Sequence, residues 1–210
     1  PVVLVLMTGS AIAVEWAQQN LPAIVLAWYP GQQGGNAIAD VLFGDANPSG
    51  RLPLTFYKSV QQLPPFADYD MKERTYRYFT GEPLYPFGHG LSYTRFEYSD
   101  LRLDWPTVDV KDPLQASLTV KNTGKLAGHE VVQLYVTRLV GALTPPMLEL
   151  KGFQHVTIGP AKSRTVEFDL RADDLAAVQP DLSTRVEPGN LVIGVGTDSS
   201  HLTTAPLRVE

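Results

Sequence analysis

The sequence has 210 residues, of which 44% are hydrophobic and 19% charged, with a formal net charge of -5 at pH 7. These proportions exclude a disordered tail or a coiled coil, and the length favours two small domains over one large one. The acidic balance, without any run of Lys or Arg, argues against nucleic acid and anionic membranes as partners. The absence of cysteine excludes a disulfide scaffold, a thiolate metal site and a Cys nucleophile.

The chain opens with a strand and a helix. Val2–Leu6 is a continuous aliphatic run, which predicts a strand covered on both faces. Ser10 is placed to cap a helix over Ala11–Asn20. The apolar run Pro1–Met7 is far shorter than the about 20 residues that cross a bilayer. Because the sequence starts inside a strand without an initiator Met, we expect it to be a piece of a longer protein.

A second strand and helix follow in the same order. Ala23–Ala27 predicts another buried strand, and Ile38, Val41 and Leu42 share one face of a helix that ends at Gly44. This alternation predicts right-handed packing around a mainly parallel sheet with flanking helices. Since two strands do not complete such a sheet, its other strands are expected upstream.

The remaining chain has two further patterns. Between Asp45 and Ser92 it is rich in Pro, Gly and aromatic residues, which predicts short strands and ordered loops packed over the α/β part. Beyond Phe96 the apolar residues alternate with a period of two, which predicts an antiparallel sandwich, and Ala172–Asp181 is expected to form a short helical excursion. The residues predicted to face the sandwich core are Ala116, Leu118, Val120, Val132, Leu134, Val136, Val166, Phe168, Leu170, Leu191, Ile193 and Val195.

Four carboxylates of the aromatic-rich stretch, Asp68, Asp70, Glu73 and Glu82, are the candidates for a hydrolase site. A glycosidase needs two carboxyl groups about 5 to 9.5 Å apart, one of them kept protonated by its surroundings. Their spacing in a loop establishes neither condition, and Asp and Glu are mostly exposed in any protein. We therefore interpret these four as surface residues.

The four histidines, His89, His129, His155 and His201, lie in loop or strand contexts. The sequence lacks a G-x-S-x-G motif and shows no ordered Ser and Asp partners for a triad. No pair has the helical spacing of a zinc site. We interpret them as hydrogen-bonded or surface groups, and we predict no metal site and no cofactor.

The loop YPGQQGGN, residues 29–36, leads into a helix N-terminus, where phosphate groups often bind. It lacks the P-loop Lys and the G-x-G-x-x-G spacing, so a tight start of the helix, facing a sugar through backbone donors, is the preferred interpretation. The aromatic residues between Phe56 and Tyr98 either stack on sugars or pack domains together, and packing is preferred. The same two alternatives hold for Trp16, Trp28 and Trp105.

Taken in order, these pieces resemble glycoside hydrolase family 3 over essentially the whole chain. PVVLVLMTGSAIAVEWA, AIVLAWYPGQQGGNAIADVLFGDANPSGRLPLTF and YRYFTGEPLYPFGHGLSYTRFEY resemble its C-terminal α/β sandwich domain. VKNTGKLAGHEVVQLYV, ELKGF and EPGNLVIGVG resemble its fibronectin type III-like domain. The resemblance implies an α/β partial sandwich over residues 1–96 and an all-β, immunoglobulin-like sandwich over 97–210. Gln33 and His89 depart from the residues common in the family, at positions that look structural.

The resemblance also implies that the two catalytic residues come from two different parts of the complete enzyme. In that family an N-terminal (β/α)8 barrel supplies the Asp nucleophile, and a loop ahead of the first strand of this chain supplies the Glu acid/base of a retaining reaction. Neither residue corresponds to a position here, so no catalytic residue is assigned and the substrate contacts stay unknown. The parent is implied to be an exo-acting β-glucosidase or β-xylosidase for β-linked oligosaccharides, periplasmic or secreted. The segment RTYRYF, residues 74–79, resembles members of both specificities.

Two alternatives to this scaffold hypothesis stay open. The chain as a stand-alone carbohydrate-binding or interaction module would need exposed aromatics on the sandwich, whereas Tyr135, Phe153 and Phe168 are predicted to be buried. In a two-chain enzyme, a partner chain would supply the barrel and the acid/base loop. If part of a sheet is missing, the α/β part should expose an apolar face and an unpaired strand edge.

Overall fold

The computed structural model describes residues 1–109, 112–138 and 146–210, and these ranges are rich in strands with few helices. The helices are α1 (Glu15–Asn20), α2 (Gly34–Phe43) and α3 (Thr75–Tyr78), with 3-10 turns at Val60–Gln62 and Ala172–Leu175. The strands are β1 (Val3–Leu6), β2 (Ala23–Leu26), β3 (Phe96–Leu103), β4 (Thr107–Val108), β5 (Leu114–Asn122), β6 (Gly128–Arg138), β7 (Glu149–Ile158), β8 (Ser163–Leu170), β9 (Ala176–Val178), β10 (Thr184–Val186), β11 (Gly189–Asp198) and β12 (His201–Val209).

The N-terminal part contains a parallel pair, β1 with β2, in which Leu4 lies opposite Ile24. The predicted order of strand, helix, strand and helix is confirmed. Helix α2 ends at Gly44, whose φ of 86° lies in the left-handed region that glycine adopts without strain. The other described pairings are antiparallel except for β4 with β12. A mainly parallel sheet larger than this pair therefore stays a prediction.

Helix α1 is shorter than predicted. It begins at Glu15 instead of Ala11, and Val14 occupies the N-cap position without a side-chain capping bond. A hydroxyl ahead of an apolar run caps a helix only where the next residues turn helical, and here they do not. The prediction that Ser10 caps this helix is wrong.

The Pro- and aromatic-rich stretch, residues 45–92, forms ordered loops with little regular structure, as predicted. A β-bridge joins Phe56 to Tyr85. The Phe56 amide donates to the Tyr85 carbonyl at 2.9 Å, and the two rings meet edge-on with their centroids 6.0 Å apart. Phe56 is buried, so aromatic packing contributes the local core that this segment lacks in secondary structure.

The C-terminal part is a sandwich of two sheets. One has the strand order β4, β12, β11, β6, β7, and the other has the order β3, β5, β8. All of the residues that the alternation predicted to face the core are buried. The period-two pattern succeeds because most of these strands turn only one face to the core.

Strand β6 is buried on both of its faces from Glu130 to Val136. Its core-facing residues are covered by the other sheet, and Val131, Gln133 and Tyr135 on the opposite face are buried as well. Loops from residues 45–92 cover that outer face and also reach the turn between β11 and β12. We call this contact between the two parts of the chain the junction.

Two local predictions need correction. Phe153 on β7 is 58% exposed instead of buried, because β7 is an edge strand and its outward side chains lack a neighbour on one side. The predicted burial of Tyr135 and Phe168 is confirmed. The helical excursion is limited to the 3-10 turn at Ala172–Leu175, after which β9 and β10 pair as a hairpin.

Candidate functional site

A stack of aromatic rings forms the apolar half of the junction. Tyr76 on α3 stacks on Phe87 with the ring centroids 4.2 Å apart and meets Tyr135 edge-on at 6.0 Å. The Tyr76 hydroxyl accepts a hydrogen bond from the Leu150 amide at 3.1 Å. Such contacts bury large ring areas at fixed geometry. These aromatics pack the two domains together, as the preferred sequence interpretation stated.

One buried amide, that of Gln133, links three segments. Its Nε2 donates to the Gly88 carbonyl at 3.1 Å and to the Thr197 carbonyl at 2.5 Å. Its Oε1 accepts from the Tyr135 hydroxyl at 2.6 Å. Burial raises the pKa of Tyr135, so this hydroxyl stays protonated and keeps donating. Gln133 therefore ties the loops to both β6 and β11.

A buried ion pair also crosses the junction. Arg51 Nη2 lies 2.8 Å from Glu130 Oε1, and the two side chains are 8% and 2% exposed. The phenol of Tyr98 lies nearby, and its pKa is raised first by burial and then by the charge of Glu130. Tyr98 is therefore neutral, and Arg51 balances the one negative charge at this point. The pair positions the loop that carries Arg51 on β6.

Two histidines face one buried carboxylate at the β11–β12 turn. Asp198 is 4% exposed, and its Oδ1 accepts from the amides of Ser200 at 2.8 Å and His201 at 3.0 Å. His201 Nδ1 lies 2.9 Å from Oδ1, and His89 Nδ1 lies 3.9 Å from Oδ2. Burial opposes ionisation of Asp198, but the contact with His89 and the hydrogen bonds from the Ser200 amide and His201 outweigh it and lower its pKa.

The sequence does not indicate this cluster, but His201 confirms the interpretation of the histidines as hydrogen-bonded or surface groups. The other two histidines lie on the outer side of β6 and β7. His129 Nδ1 is 2.8 Å from the Thr157 hydroxyl, and His155 meets Phe153 edge-on. Across the three described ranges, no group of three or more His, Asp or Glu side chains is arranged to hold a metal ion.

Glu73 and Glu82 occupy separate local interactions instead of forming a hydrolase pair. Glu73 accepts from the hydroxyl of Thr80 at 2.6 Å and from its amide at 2.9 Å, and these bonds lower its pKa. Glu82 accepts from Lys58 Nζ at 2.5 Å, which lowers its pKa as well. A general acid needs a raised pKa, so both carboxyls shift in the wrong direction for that role.

Asp68 and Asp70 are exposed in the loop before α3. The Asp70 amide donates to Asp68 Oδ1 at 2.9 Å, and Arg74 donates to the main-chain oxygens of both residues. These hydrogen bonds join residues 68 to 74 into one compact loop. Neither side chain is buried, so neither lies in an enclosed apolar pocket of the kind that holds a catalytic acid. The interpretation as surface groups is confirmed for Asp68, Asp70 and Glu82, whereas Glu73 is half-buried.

The glycine-bearing loop of residues 29–36 makes a tight start to helix α2, as predicted. A Cβ on Gly34 would lie 2.5 Å from the Pro30 side chain, so only glycine fits there. Asn36 Nδ2 donates to Gln33 Oε1 at 2.6 Å, which gives Gln33 a local structural partner. The contact of this loop with a sugar stays a prediction.

Apolar side chains remain exposed on the N-terminal part, as expected for an incomplete sheet. Among the described residues, the parallel pair has no third strand beside it. The most exposed large apolar residues of the first 50 positions are Val2, Met7, Trp16, Tyr29 and Phe43.

Two family models match the two structural parts. Residues 1–93 match the glycosyl hydrolase family 3 C-terminal domain, and residues 130–199 match a fibronectin type III-like domain. The chain belongs to glycoside hydrolase family 3. Its described α/β part and sandwich are thus the C-terminal and fibronectin type III-like domains of that family.

Similar proteins are named as β-glucosidases and β-xylosidases. A periplasmic beta-glucosidase of Salmonella typhimurium is 40% identical over 214 residues, covering 96% of this chain and 28% of that protein. A xylan 1,4-beta-xylosidase of Xylanibacter ruminicola is 44% identical over 199 residues, covering 94% of this chain and 23% of that protein.

Solved structures of β-glucosidases superpose on nearly the whole chain. A β-glucosidase from Erythrobacter marinus matches with a TM-score of 0.88 and 39% identity, covering 99% of this chain and 28% of that one. A β-glucosidase from Listeria innocua in complex with glucose matches with a TM-score of 0.86 and 30% identity, covering 100% of this chain and 31% of that one. The chain therefore spans less than a third of the length of these relatives. None of the helices in the described ranges has the length and hydropathy of a membrane span.

Proposed function

We propose that this chain is the C-terminal scaffold of a retaining, exo-acting β-glycosidase and that it supplies no catalytic carboxylate. The proposal is carried by the pKa shifts and the exposure of its four candidate carboxylates. Glu73 and Glu82 have lowered pKa values, which disfavours the general-acid role, and Asp68 and Asp70 are exposed in the loop before α3. The names of the relatives support a β-glucoside or β-xyloside as the substrate of the complete enzyme.

In this proposal the catalytic Asp and Glu belong to parts of the complete enzyme other than residues 1–210. A barrel would supply the Asp that attacks the anomeric carbon, and a separate loop would supply the Glu that protonates the leaving oxygen and then deprotonates water. The α/β domain, proposed over residues 1–96, would hold that loop against the barrel. The sandwich, proposed over 97–210, would hold the α/β domain through the junction, since a catalytic group needs rigid support. A periplasmic or secreted location is proposed from the relative of that name.

A chimera tests this proposal in a working enzyme. The matching C-terminal region of the Salmonella typhimurium β-glucosidase is replaced by this chain, and hydrolysis of an aryl β-glucoside is measured. The chimera should be active, whereas the chain alone should show no turnover of aryl β-glucosides or β-xylosides.

Single substitutions in the chimera test whether any of the four candidate carboxylates is catalytic. Asp68→Asn, Asp70→Asn, Glu73→Gln and Glu82→Gln should each change kcat by less than about tenfold, since loss of a proton-transfer group typically costs about 10²- to 10⁴-fold. A larger loss in one variant that keeps its thermal stability would assign catalysis to this chain and contradict the proposal.

Exposed aromatic residues on the sandwich support a second candidate, a carbohydrate-binding module. Phe153 and Trp105 are both exposed, and aromatic rings of this kind stack on sugar faces. Calorimetry of the full chain with cello- and xylo-oligosaccharides tests this function. Binding that is lost in Phe153→Ala or Trp105→Ala supports the module, and the absence of measurable heat leaves the scaffold as the function.

A further inference from the structure

An open cavity of about 310 Å³ lies beside the turn between β3 and β4, and Trp105 forms one wall of it. The other lining residues are Asp104, Thr107, Val108, Asp112 and Pro113. Thr107 pairs with Arg208 near the end of β12, whereas the junction contacts the turn that precedes the first residue of that strand. The cavity therefore lies at the opposite end of β12 from the β11–β12 turn.

Trp105 is 63% exposed although hydrogen bonds fix the turn that carries it. The Trp105 and Gln115 amides both donate to Asp104 Oδ1, each at 3.0 Å. On the other side of the turn, the Arg208 amide donates to the Pro106 carbonyl at 3.0 Å. Pro106 also disfavours a helical backbone at Trp105. The indole is thus presented to solvent with little backbone freedom, which lowers the entropic cost of binding a ligand.

The walls of the cavity combine an aromatic face with oxygen acceptors. Asp104 and Asp112 are both exposed, and each oxygen of a carboxylate accepts hydrogen bonds through two lone pairs. The two amides that donate to Asp104 hold its carboxylate in a fixed position at the wall. The Thr107 hydroxyl adds a group that both donates and accepts. These groups suit a neutral ligand that has an apolar face and several hydroxyl groups.

We propose that this cavity binds one pyranose ring of a β-linked gluco- or xylo-oligosaccharide, with the ring stacked on Trp105. The hydroxyl groups of these sugars are equatorial, so axial C–H bonds cover both faces of the ring and match the negative face of an indole. The hydroxyl groups at the edge of the ring donate to Asp104 and Asp112. A volume of about 310 Å³ is near the lower limit of small-ligand sites, which suits a single ring with the rest of the oligosaccharide in solvent.

The site rests on the carbohydrate-binding function, the second candidate above, and is independent of the scaffold function. It also separates Trp105 from Phe153, another exposed aromatic residue of the sandwich. Phe153 lies on β7, where its ring meets His155 edge-on with centroids 5.8 Å apart, and it does not line the cavity. The Trp105 indole has the larger face and lies beside two carboxylates, so it is the better platform for a sugar.

NMR titration of the isotope-labelled full chain with cellotetraose and with xylotetraose tests the site. The sequence has three Trp residues, so the indole N–H signal of Trp105 can be told apart from those of Trp16 and Trp28. The Trp105 signal and the Asp112 amide should shift as sugar is added. Trp105→Ala should weaken binding at least about tenfold, whereas Trp105→Tyr, which keeps an aromatic ring, should weaken it less than about fivefold.

One further variant tests the carboxylate, and two others are controls. Asp112→Ala should weaken binding at least about threefold, since an acceptor is lost. Phe153→Ala and Trp16→Ala remove exposed aromatic rings outside the cavity, so each should leave the dissociation constant unchanged within about twofold. All of these positions are exposed, and thermal unfolding of each variant verifies that it is folded.

Four results would overturn the site. Binding that survives in Trp105→Ala would show that the indole is not the platform. Sugar-induced shifts around Phe153 instead would place the carbohydrate-binding function elsewhere on the sandwich. If neither sugar shifts any signal, both the site and the carbohydrate-binding function are wrong, and the scaffold function is unaffected. A response of Trp105 to tetramethylammonium but to neither sugar would show that the aromatic and carboxylate groups bind a cation.

Discussion

Gln133 and Gly88 are hydrogen-bonded and in close contact at the junction. Gln133 Nε2 donates to the Gly88 carbonyl at 3.1 Å, and a Cβ on Gly88 would lie 2.1 Å from Gln133 Oε1. The φ of Gly88 is 84°, a left-handed backbone conformation that is strained for any residue with a Cβ. Close approach and backbone conformation therefore both require glycine at position 88.

Gly88→Ala should lower the free energy of unfolding by about 2 to 4 kcal/mol, from backbone strain and displacement of the Gln133 amide. Urea denaturation of the chain measures the change. Gly35→Ala is the matched control, because a Cβ at Gly35 would have nothing within 4 Å. This control lies in helix α2, where alanine should be neutral or stabilise by up to about 1 kcal/mol. Equal stability of the two variants would contradict the close contact at Gly88.

Arg51→Met should destabilise the protein by about 3 to 5 kcal/mol, because it leaves the buried Glu130 carboxylate without its partner. The double variant Arg51→Met with Glu130→Gln should recover part of this loss, since the unpaired charge is removed. Thermal unfolding at pH 7 compares the two.

The exposed ion pair of Lys58 with Glu82 is the control for the buried pair. Its side chains are 32% and 83% exposed, so Lys58→Met should change the melting temperature little. If Arg51→Met and Lys58→Met had equal effects, the energetic importance assigned to the buried pair would be wrong.

The sandwich was predictable because its core residues repeat with a simple period. Ala116, Leu118 and Val120 each have a polar neighbour that faces outward, so the core face can be read from the sequence. In β6 the same rule identifies Val132 and Leu134 but gives no reason for the burial of the residues between them. That burial depends on a loop distant in the sequence.

The polar contacts of the junction could not be predicted from local patterns. Arg51 and Glu130 are separated by 79 positions, and no periodicity relates two such residues. His89 and Asp198 likewise come from different domains. A weak signal did exist in β6, where Glu130 and Gln133 interrupt an apolar strand, because polar residues in a buried strand need partners.

Phe168→Ala and Phe153→Ala should differ strongly although they remove the same atoms. Phe168 is 6% exposed within the sandwich core, and its loss should cost about 3 to 5 kcal/mol. Phe153 is 58% exposed on an edge strand, so its loss should cost less than about 1 kcal/mol. Urea midpoints of the two variants make the comparison. Similar midpoints would mean that Phe153 is covered in solution.

Asp198→Asn should change how the free energy of unfolding depends on pH in the acidic range. The pKa of Asp198 is lowered in the folded protein, so its contribution is complete above the ordinary Asp pKa of about 3.9 and is lost as the pH falls through the lower folded value. The wild type should therefore be more stable than the variant by a constant amount, about 1 to 3 kcal/mol, between pH 4.5 and 5.5. The difference should shrink below about pH 4.

Urea unfolding at half-unit intervals from pH 5.5 to 2.5 measures this difference. Asp45→Asn serves as the control, because Asp45 is exposed and its removal should leave the curve parallel to the wild type. A gap between wild type and Asp198→Asn that widens as the pH falls would mean that the folded protein favours the protonated carboxyl. In that case burial, and not the hydrogen bonds from Ser200 and His201 with the contact to His89, would dominate at Asp198.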